Sequence, residues 1–233
     1  METPEKSYSK RFRPFEQRPE QYDAWFDSEK GTRIFPVEVE CLKNLMSEVA
    51  KPRLEIGVGT GRFASALNIG YGVDPSRKVL DYAKARRINV KHGFAENLPY
   101  QDQSFGAVFM IVTVCFLTEP EKAFKEASRV LTAGGELIVG LVPRDSAWGQ
   151  MYAGKAREGH PFYSPAVFYS CREIMNMAEA AGFNANGTYS CLFEDPESDL
   201  KELKPPHPGI IADAGFVGIR FFLNTSSPLQ VRY

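Results

Sequence analysis

From Arg53 onward the chain alternates two patterns. Short runs of apolar and β-branched residues recur, and between them lie longer segments in which apolar residues return every three or four positions. The runs near 53–57, 69–73, 88–92, 106–112, 135–141, 185–191 and 215–223 predict seven strands. Arg62–Leu67, Arg77–Ala85, Pro120–Leu131 and Arg172–Ala181 predict amphipathic helices, with Gly134 and Gly182 expected as helix C-terminal caps. Strands and helices in this alternation build an α/β fold: a doubly wound, seven-stranded sheet, mainly parallel, with helices on both faces. The last two strands flank a Pro-rich segment, Glu194 to Pro208, and are expected to form an antiparallel hairpin at one sheet edge. Ahead of the first strand, Tyr22, Trp25 and Phe26, then Val37, Val39, Leu42, Leu45 and Met46, predict two helices placed to lie across the sheet's carboxyl edge.

The 233 residues suit a single α/β domain, and neither the charged N-terminal arm nor the Pro-rich segment is long enough to be another. A net charge of -1 gives no field that would gather nucleic acid or anionic lipid, so neither is expected as a partner. The four cysteines, Cys41, Cys115, Cys171 and Cys191, form no close C-x-x-C pair, and no metal is expected. Met1 to Arg18 is polar and charged, and no apolar run approaches the roughly 18 residues of a membrane span. A cytoplasmic protein, monomeric or homodimeric, is the expectation.

The chemistry concentrates at the first strand end. Leu54-Glu55-Ile56-Gly57-Val58-Gly59-Thr60-Gly61-Arg62 joins strand to helix through three glycines at alternate positions, which lets a ligand approach the backbone. A dinucleotide-phosphate loop needs a glycine at position 62, where this chain has Arg62, and no G-x-x-x-x-G-K-[ST] sequence occurs. The next strand ends in Asp74-Pro75, a carboxylate placed to accept protons from two ribose hydroxyls.

At these residues the chain resembles the class I S-adenosylmethionine-dependent methyltransferases, whose first motif runs acid-x-Gly-x-Gly-x-Gly and whose second strand ends in an acid. Glu55, Gly57, Gly59, Gly61 and Asp74 match, followed in order by Ala95-Glu96-Asn97-Leu98-Pro99, Ser104-Phe105-Gly106-Ala107-Val108 and Ala127-Ser128-Arg129-Val130-Leu131 through Gly135. The resemblance implies a Rossmann-like sheet and S-adenosylmethionine as cofactor, S-adenosylhomocysteine as product. It divides the chain into a helical cap (1–50), a cofactor-binding core (51–142) and acceptor-side elements with the last strands (143–233). The implied cofactor contacts are Glu55 near the methionine amino group, Gly57, Gly59, Thr60 and Gly61 beside the methionyl part, Asp74 and Pro75 at the ribose, Ala95 and Glu96 at the adenine, and Val112 and Thr113 at the fourth strand's end. Two positions depart from the pattern: Phe94 replaces an adenine-contacting aspartate and Gly106 an acid. Phe94 can pack against the adenine instead.

The acceptor is expected beside Thr113-Val114-Cys115-Phe116, outside the fourth strand's carboxyl end. Tyr22, Trp25, Phe26, Cys115, His160 and Tyr163 are the acceptor-side candidates, His160 and Tyr163 being able to take a proton. No Asn-Pro-Pro-aromatic sequence and no acidic pair marks a base, glutamine or arginine methylator, so a small-molecule acceptor is expected. A macromolecular acceptor, or a non-catalytic cofactor-binding protein of the same fold, is the alternative. No residue is assigned a catalytic role; Glu38 and Glu40 are expected to be solvated helix carboxylates, and the Pro-rich stretch a connection.

Overall fold

The structure, a computed structural model, describes residues 4–46 and 51–224. The first and last residues of the expected N-terminal cap, 1–3 and 47–50, lie outside the described residues. The chain runs α1 (Pro4–Gln17), α2 (Pro19–Trp25), α3 (Gly31–Lys43), β1 (Arg53–Ile56), α4 (Arg62–Ala66), β2 (Tyr71–Asp74), α5 (Arg77–Ala85), β3 (Asn89–His92), β4 (Phe105–Ile111), α6 (Pro120–Val130), β5 (Leu131–Leu141), α7 (Ala147–Arg157), α8 (Cys171–Ala180), β6 (Phe183–Cys191), β7 (His207–Pro208) and β8 (Phe216–Leu223). A single 3-10 turn, Val114–Phe116, follows β4.

These strands form one sheet of order β3-β2-β1-β4-β5-β8-β6-β7. The first five are parallel, and β8 enters antiparallel between β5 and β6. Strand order therefore reverses beside β1 and β4, which opens a crevice at their carboxyl ends. The antiparallel pairing expected of the last two long strands is that of β6 with β8. The sheet has eight strands rather than seven because two residues of the Pro-rich segment, His207 and Pro208, pair with Ser190 and Tyr189. That segment is more than a connection: Leu200 is buried and Trp148 donates its indole N–H to the Glu194 carbonyl at 2.8 Å.

Alternation along the strands sorts side chains between two cores. Leu54, Ile56, Val108 and Met110 face Phe124, Ala127, Ile174 and Ala178 of α6 and α8. Ala107, Phe109 and Ile111 face the opposite layer, where Val39, Cys41 and Leu42 of α3 and Phe63 and Ala64 of α4 pack. All seven residues of β4 are buried, as a central strand covered on both faces requires.

Gly134 is not a helix cap. α6 ends at Val130, and Gly134 (φ +73°) lies in a bulge of β5, where partners jump from Phe105 with Leu131 to Ala107 with Glu136. Gly182 (φ +90°) does follow α8, its N–H donating to the Glu179 carbonyl. Two helices were not expected: α1, which has a proline inside it, and α7, which has glycines at 149 and 154. Among the described residues no helix is long and apolar enough to cross a membrane.

Candidate active site

The turn after β1 is tied to β2: the N–H groups of Gly57 and Val58 both donate to the Val73 carbonyl, at 2.8 and 3.1 Å. Gly57 takes φ +72°, and a Cβ there would stand 2.4 Å from the Thr113 methyl, so only glycine lets the turn pass β4's end this closely. The turn's last glycine serves a different purpose. Gly61 (φ +81°) begins α4, and a Cβ on it would stand 2.5 Å from Ile88 Cδ1 and 3.1 Å from Ala83, which makes it a packing contact with α5.

Asp74 closes the other side of the crevice. The residue is 8% exposed; Oδ2 accepts from Gly59 N–H at 2.9 Å and Oδ1 from Ser76 N–H at 2.8 Å. Burial pushes its pKa up to about 6, against the opposing pull of those two N–H donors. Asp74 lines a cavity together with Gly57, Gly59, Pro75, Ala95, Glu96, Val112 and Thr113, eight of the eleven expected cofactor residues. Phe94 borders it too, edge-on to Phe12 of α1 with ring centroids 5.9 Å apart. One Glu96 oxygen, Oε1, is committed to the backbone N–H groups of Thr118 and Glu119.

Glu55, Thr60 and Gly61 do not line this cavity. Glu55 lies behind the turn, 2% exposed, with Oε2 unpartnered; burial and then the charge of Asp74 hold its pKa well above the carboxylate range. The Tyr22 phenol sits close enough to both acids that, after burial, their charges raise its pKa further. Thr60 is buried, and its carbonyl accepts from Arg86 at 2.8 Å.

Arg62, where a dinucleotide loop would carry glycine, holds α2 onto α4. Its Nε and Nη2 donate to the two Asp23 oxygens at 3.0 and 2.8 Å and its Nη1 to Asp27 at 2.9 Å, while Arg86 joins at Asp23 Oδ2, 3.0 Å. Burial is the largest influence and works to raise the Asp23 carboxyl, yet the hydrogen bonds from Arg62, Thr60 and Arg86, with the Arg86 charge, together outweigh it and hold the pKa at about 2. This clamp fixes the helix that carries Tyr22 and Trp25.

A second cavity, about 280 Å³, adjoins the first. All six acceptor-side candidates, Tyr22, Trp25, Phe26, Cys115, His160 and Tyr163, line it. Phe15, Tyr22, Val112 and Phe116 border both cavities and form the wall between them. Val112 takes φ +50°, a strained conformation for a β-branched residue, at this junction. Burial pushes the Cys115 thiol up to about 12, which disfavours the thiolate, and its Sγ lies 3.5 Å from the Val112 carbonyl. His160 stacks on Tyr163 with centroids 4.4 Å apart, its Nδ1 without a partner, and burial followed by Lys155 lowers its pKa, leaving a neutral imidazole at pH 7.

Several lining residues escaped the sequence reading. Phe12 and Phe15 stand on α1, whose internal proline and charge hide the helix, and Phe162 follows the unexpected α7. Glu38 is a correction: it is 7% exposed and lines the second cavity rather than facing solvent, because α3 turns it inward with Cys41 and Leu42. Glu40 is exposed, as expected.

Comparison with known proteins decides the family. A methyltransferase-domain family profile matches residues 54–139. A crystal structure from Thermotoga maritima, a SAM-dependent methyltransferase described as a possible histamine N-methyltransferase, superposes with a TM-score of 0.84 at 38% identity, covering 92% of this chain and 100% of that one. The chain belongs to the class I S-adenosylmethionine-dependent methyltransferases. An uncharacterized protein of Mycobacterium tuberculosis is 41% identical over 198 residues, 85% of this methyltransferase and 70% of that protein. A demethylmenaquinone methyltransferase of Chlorobaculum tepidum is 29% identical over 119 residues, 47% of this chain and 49% of its own. The methyltransferase therefore uses S-adenosylmethionine as its methyl donor, and among its described residues no cluster of His, Cys, Asp and Glu forms a metal site.

Proposed function

We propose that this methyltransferase holds S-adenosylmethionine in the Asp74 crevice and methylates a small, largely apolar organic acceptor in the adjoining aromatic chamber. The observation that carries the reading is the shared wall: Phe15, Tyr22, Val112 and Phe116 border both spaces, so a donor in one and an acceptor in the other would meet there.

The crevice residues fit the cofactor. Asp74 Oδ1 and Oδ2 each spend one lone pair on a backbone N–H and keep another for a ribose hydroxyl. The glycine backbone at 57 and 59 leaves space that a Cβ would fill, and Phe94, which lines the crevice, would pack against an adenine there. Glu55, behind the turn with Oε2 unpartnered, would act on the methionyl ammonium through the turn rather than by lining the crevice. When bound, the cofactor supplies a methyl group on a sulfonium, transferable by direct displacement.

The chain's own work is alignment and exclusion of water. Tyr22, Phe26, Phe116 and Phe162 wall the chamber with carbon, and the Arg62–Asp23 clamp keeps α2 over it. His160, which lines the chamber, would be the group to accept a proton that the acceptor loses. A chamber of this size, lined largely by rings, suits a single small molecule better than a residue on a folded macromolecule. The acceptor suggested for the Thermotoga relative is of that small, ring-bearing kind.

Filling the chamber separates its role from that of the crevice. Val142 lines the chamber but not the crevice. Val142→Trp is expected to leave S-adenosylhomocysteine affinity within about twofold and to lower transfer of labelled methyl to a small-molecule extract more than tenfold. Unchanged transfer, or label arriving on protein or RNA instead, would contradict the reading.

A further inference from the structure

Glu38 is the group in this chamber that the methyl-transfer account leaves unused. The residue is 7% exposed, lines the chamber, and has no hydrogen-bond or ion-pair partner among the described residues; burial alone displaces its pKa, upward to about 8. An isosteric amide or a leucine would fill the same space on α3 without a desolvated acid. Lys155, the lysine that lines the chamber, does not neutralise it: its ammonium lies over the Tyr152 ring, 5.7 Å from the centroid, and acts on His160. The chamber that Glu38 lines is lined as well by the rings of Trp25, Phe26, Tyr152, Phe162 and Tyr163, whose electron-rich faces attract cations. A lone acid inside an aromatic enclosure is a receptor for positive charge.

Resting on the reading of this cavity as the acceptor chamber, we infer that Glu38 selects the acceptor by pairing with a protonated amine, so that the substrate class is a ring-bearing organic amine rather than a neutral or acidic molecule. Glu38 lines the chamber and not the crevice, so the charge it meets is the acceptor's and not the cofactor's sulfonium or ammonium. The chamber has room for one ring and a short amine-bearing chain. Among the described residues, the groups on which the Glu38 charge acts are Tyr152, Tyr163 and Cys191, all uncharged at neutral pH because burial raises the first two and a hydrogen bond with Cys41, together with burial, raises the third. None of them supplies the missing cation.

Matched probes differing only in charge test this directly. 2-Phenylethylamine with 2-phenylethanol, and tryptamine with tryptophol, are titrated calorimetrically into the full chain saturated with S-adenosylhomocysteine. Wild type is expected to bind each amine at least tenfold tighter than its alcohol. In Glu38→Gln that preference collapses to within about twofold, with alcohol and S-adenosylhomocysteine affinities retained, and Glu38→Asp keeps part of it. Equal binding of amine and alcohol by wild type, a preference that survives in folded Glu38→Gln, or no binding of any probe overturns the assignment. If amine and alcohol still bind to Val142→Trp, the probes occupy another place, and it is the chamber reading that fails.

Discussion

Asp74→Ala is expected to weaken S-adenosylmethionine and S-adenosylhomocysteine binding by about 30- to 100-fold, corresponding to roughly 2 to 3 kcal/mol for charged hydrogen bonds lost from a buried site. Both carboxylate oxygens already accept a backbone N–H, from Gly59 and Ser76, so the substitution removes the ribose acceptor and also unties the glycine turn from the end of β2. Because burial raises this carboxyl to about 6, the wild-type site is ionised at pH 7 and becomes protonated as pH falls toward 5. Cofactor affinity should therefore decline below pH 6 in wild type and stay flat in the variant. Calorimetry at pH 7.5 and 5.5 reads both effects, and unchanged affinity in the folded variant removes Asp74 from the site.

Stability should respond to pH in the opposite sense from a salt-bridged carboxylate. Glu38 titrates near its ordinary 4.5 in the unfolded chain and at about 8 when folded. Above pH 4.5 the unfolded state sheds a proton that the folded state retains, so the contribution is fully present below 4.5 and lost as pH rises through about 8. Over that window the loss amounts to as much as about 4 kcal/mol. Glu55 and Asp74, both raised chiefly by burial, push the same way, which is why the informative quantity is the difference between wild type and Glu38→Gln. Urea unfolding at pH 5, 6.5 and 8 should show the variant gaining on wild type by several kcal/mol as pH increases. Parallel stability profiles would mean that Glu38 is solvated.

What could be read in the sequence follows from how locally each feature is encoded. β4 was legible because a central parallel strand is buried on both faces and reads as an unbroken apolar run from Phe105 to Ile111. Asp74 was legible because a strand end followed by Asp-Pro fixes the residue's place at the crevice. The placement of β8 between β5 and β6 was not, since pairing partners are a property of the whole sheet. β7 was hidden because two residues carry no periodicity. α1 and α7 were hidden for a chemical reason: Pro14, Gly149 and Gly154 lower local helix propensity, and packing over the active site overrides it. Glu38 shows the same limit in a side chain. Glutamate on an amphipathic helix ordinarily faces water, and only the fold places this one in the same chamber as Phe162 and Tyr163, from a segment more than a hundred residues later.

The resemblance to methyltransferases named more residues than the crevice contains. Gly61 belongs to helix packing against Ile88 and Ala83, and Glu55 and Thr60 lie behind the turn, whereas the motif treats the whole run as one unit. Arg62 is the reverse case. Its identity argued against a dinucleotide, and its structural use, a clamp on Asp23 and Asp27, is visible only once α2 lies across α4.

Calorimetric titration of the purified chain with S-adenosylmethionine, S-adenosylhomocysteine and NADH tests the account at its centre. Saturable binding of the two sulfur nucleosides with dissociation constants on the order of micromolar, and no heat from NADH, is the predicted result for a crevice built on Asp74 and a turn closed at position 62 by arginine. Binding of NADH, or a folded sample that binds none of the three, would contradict it.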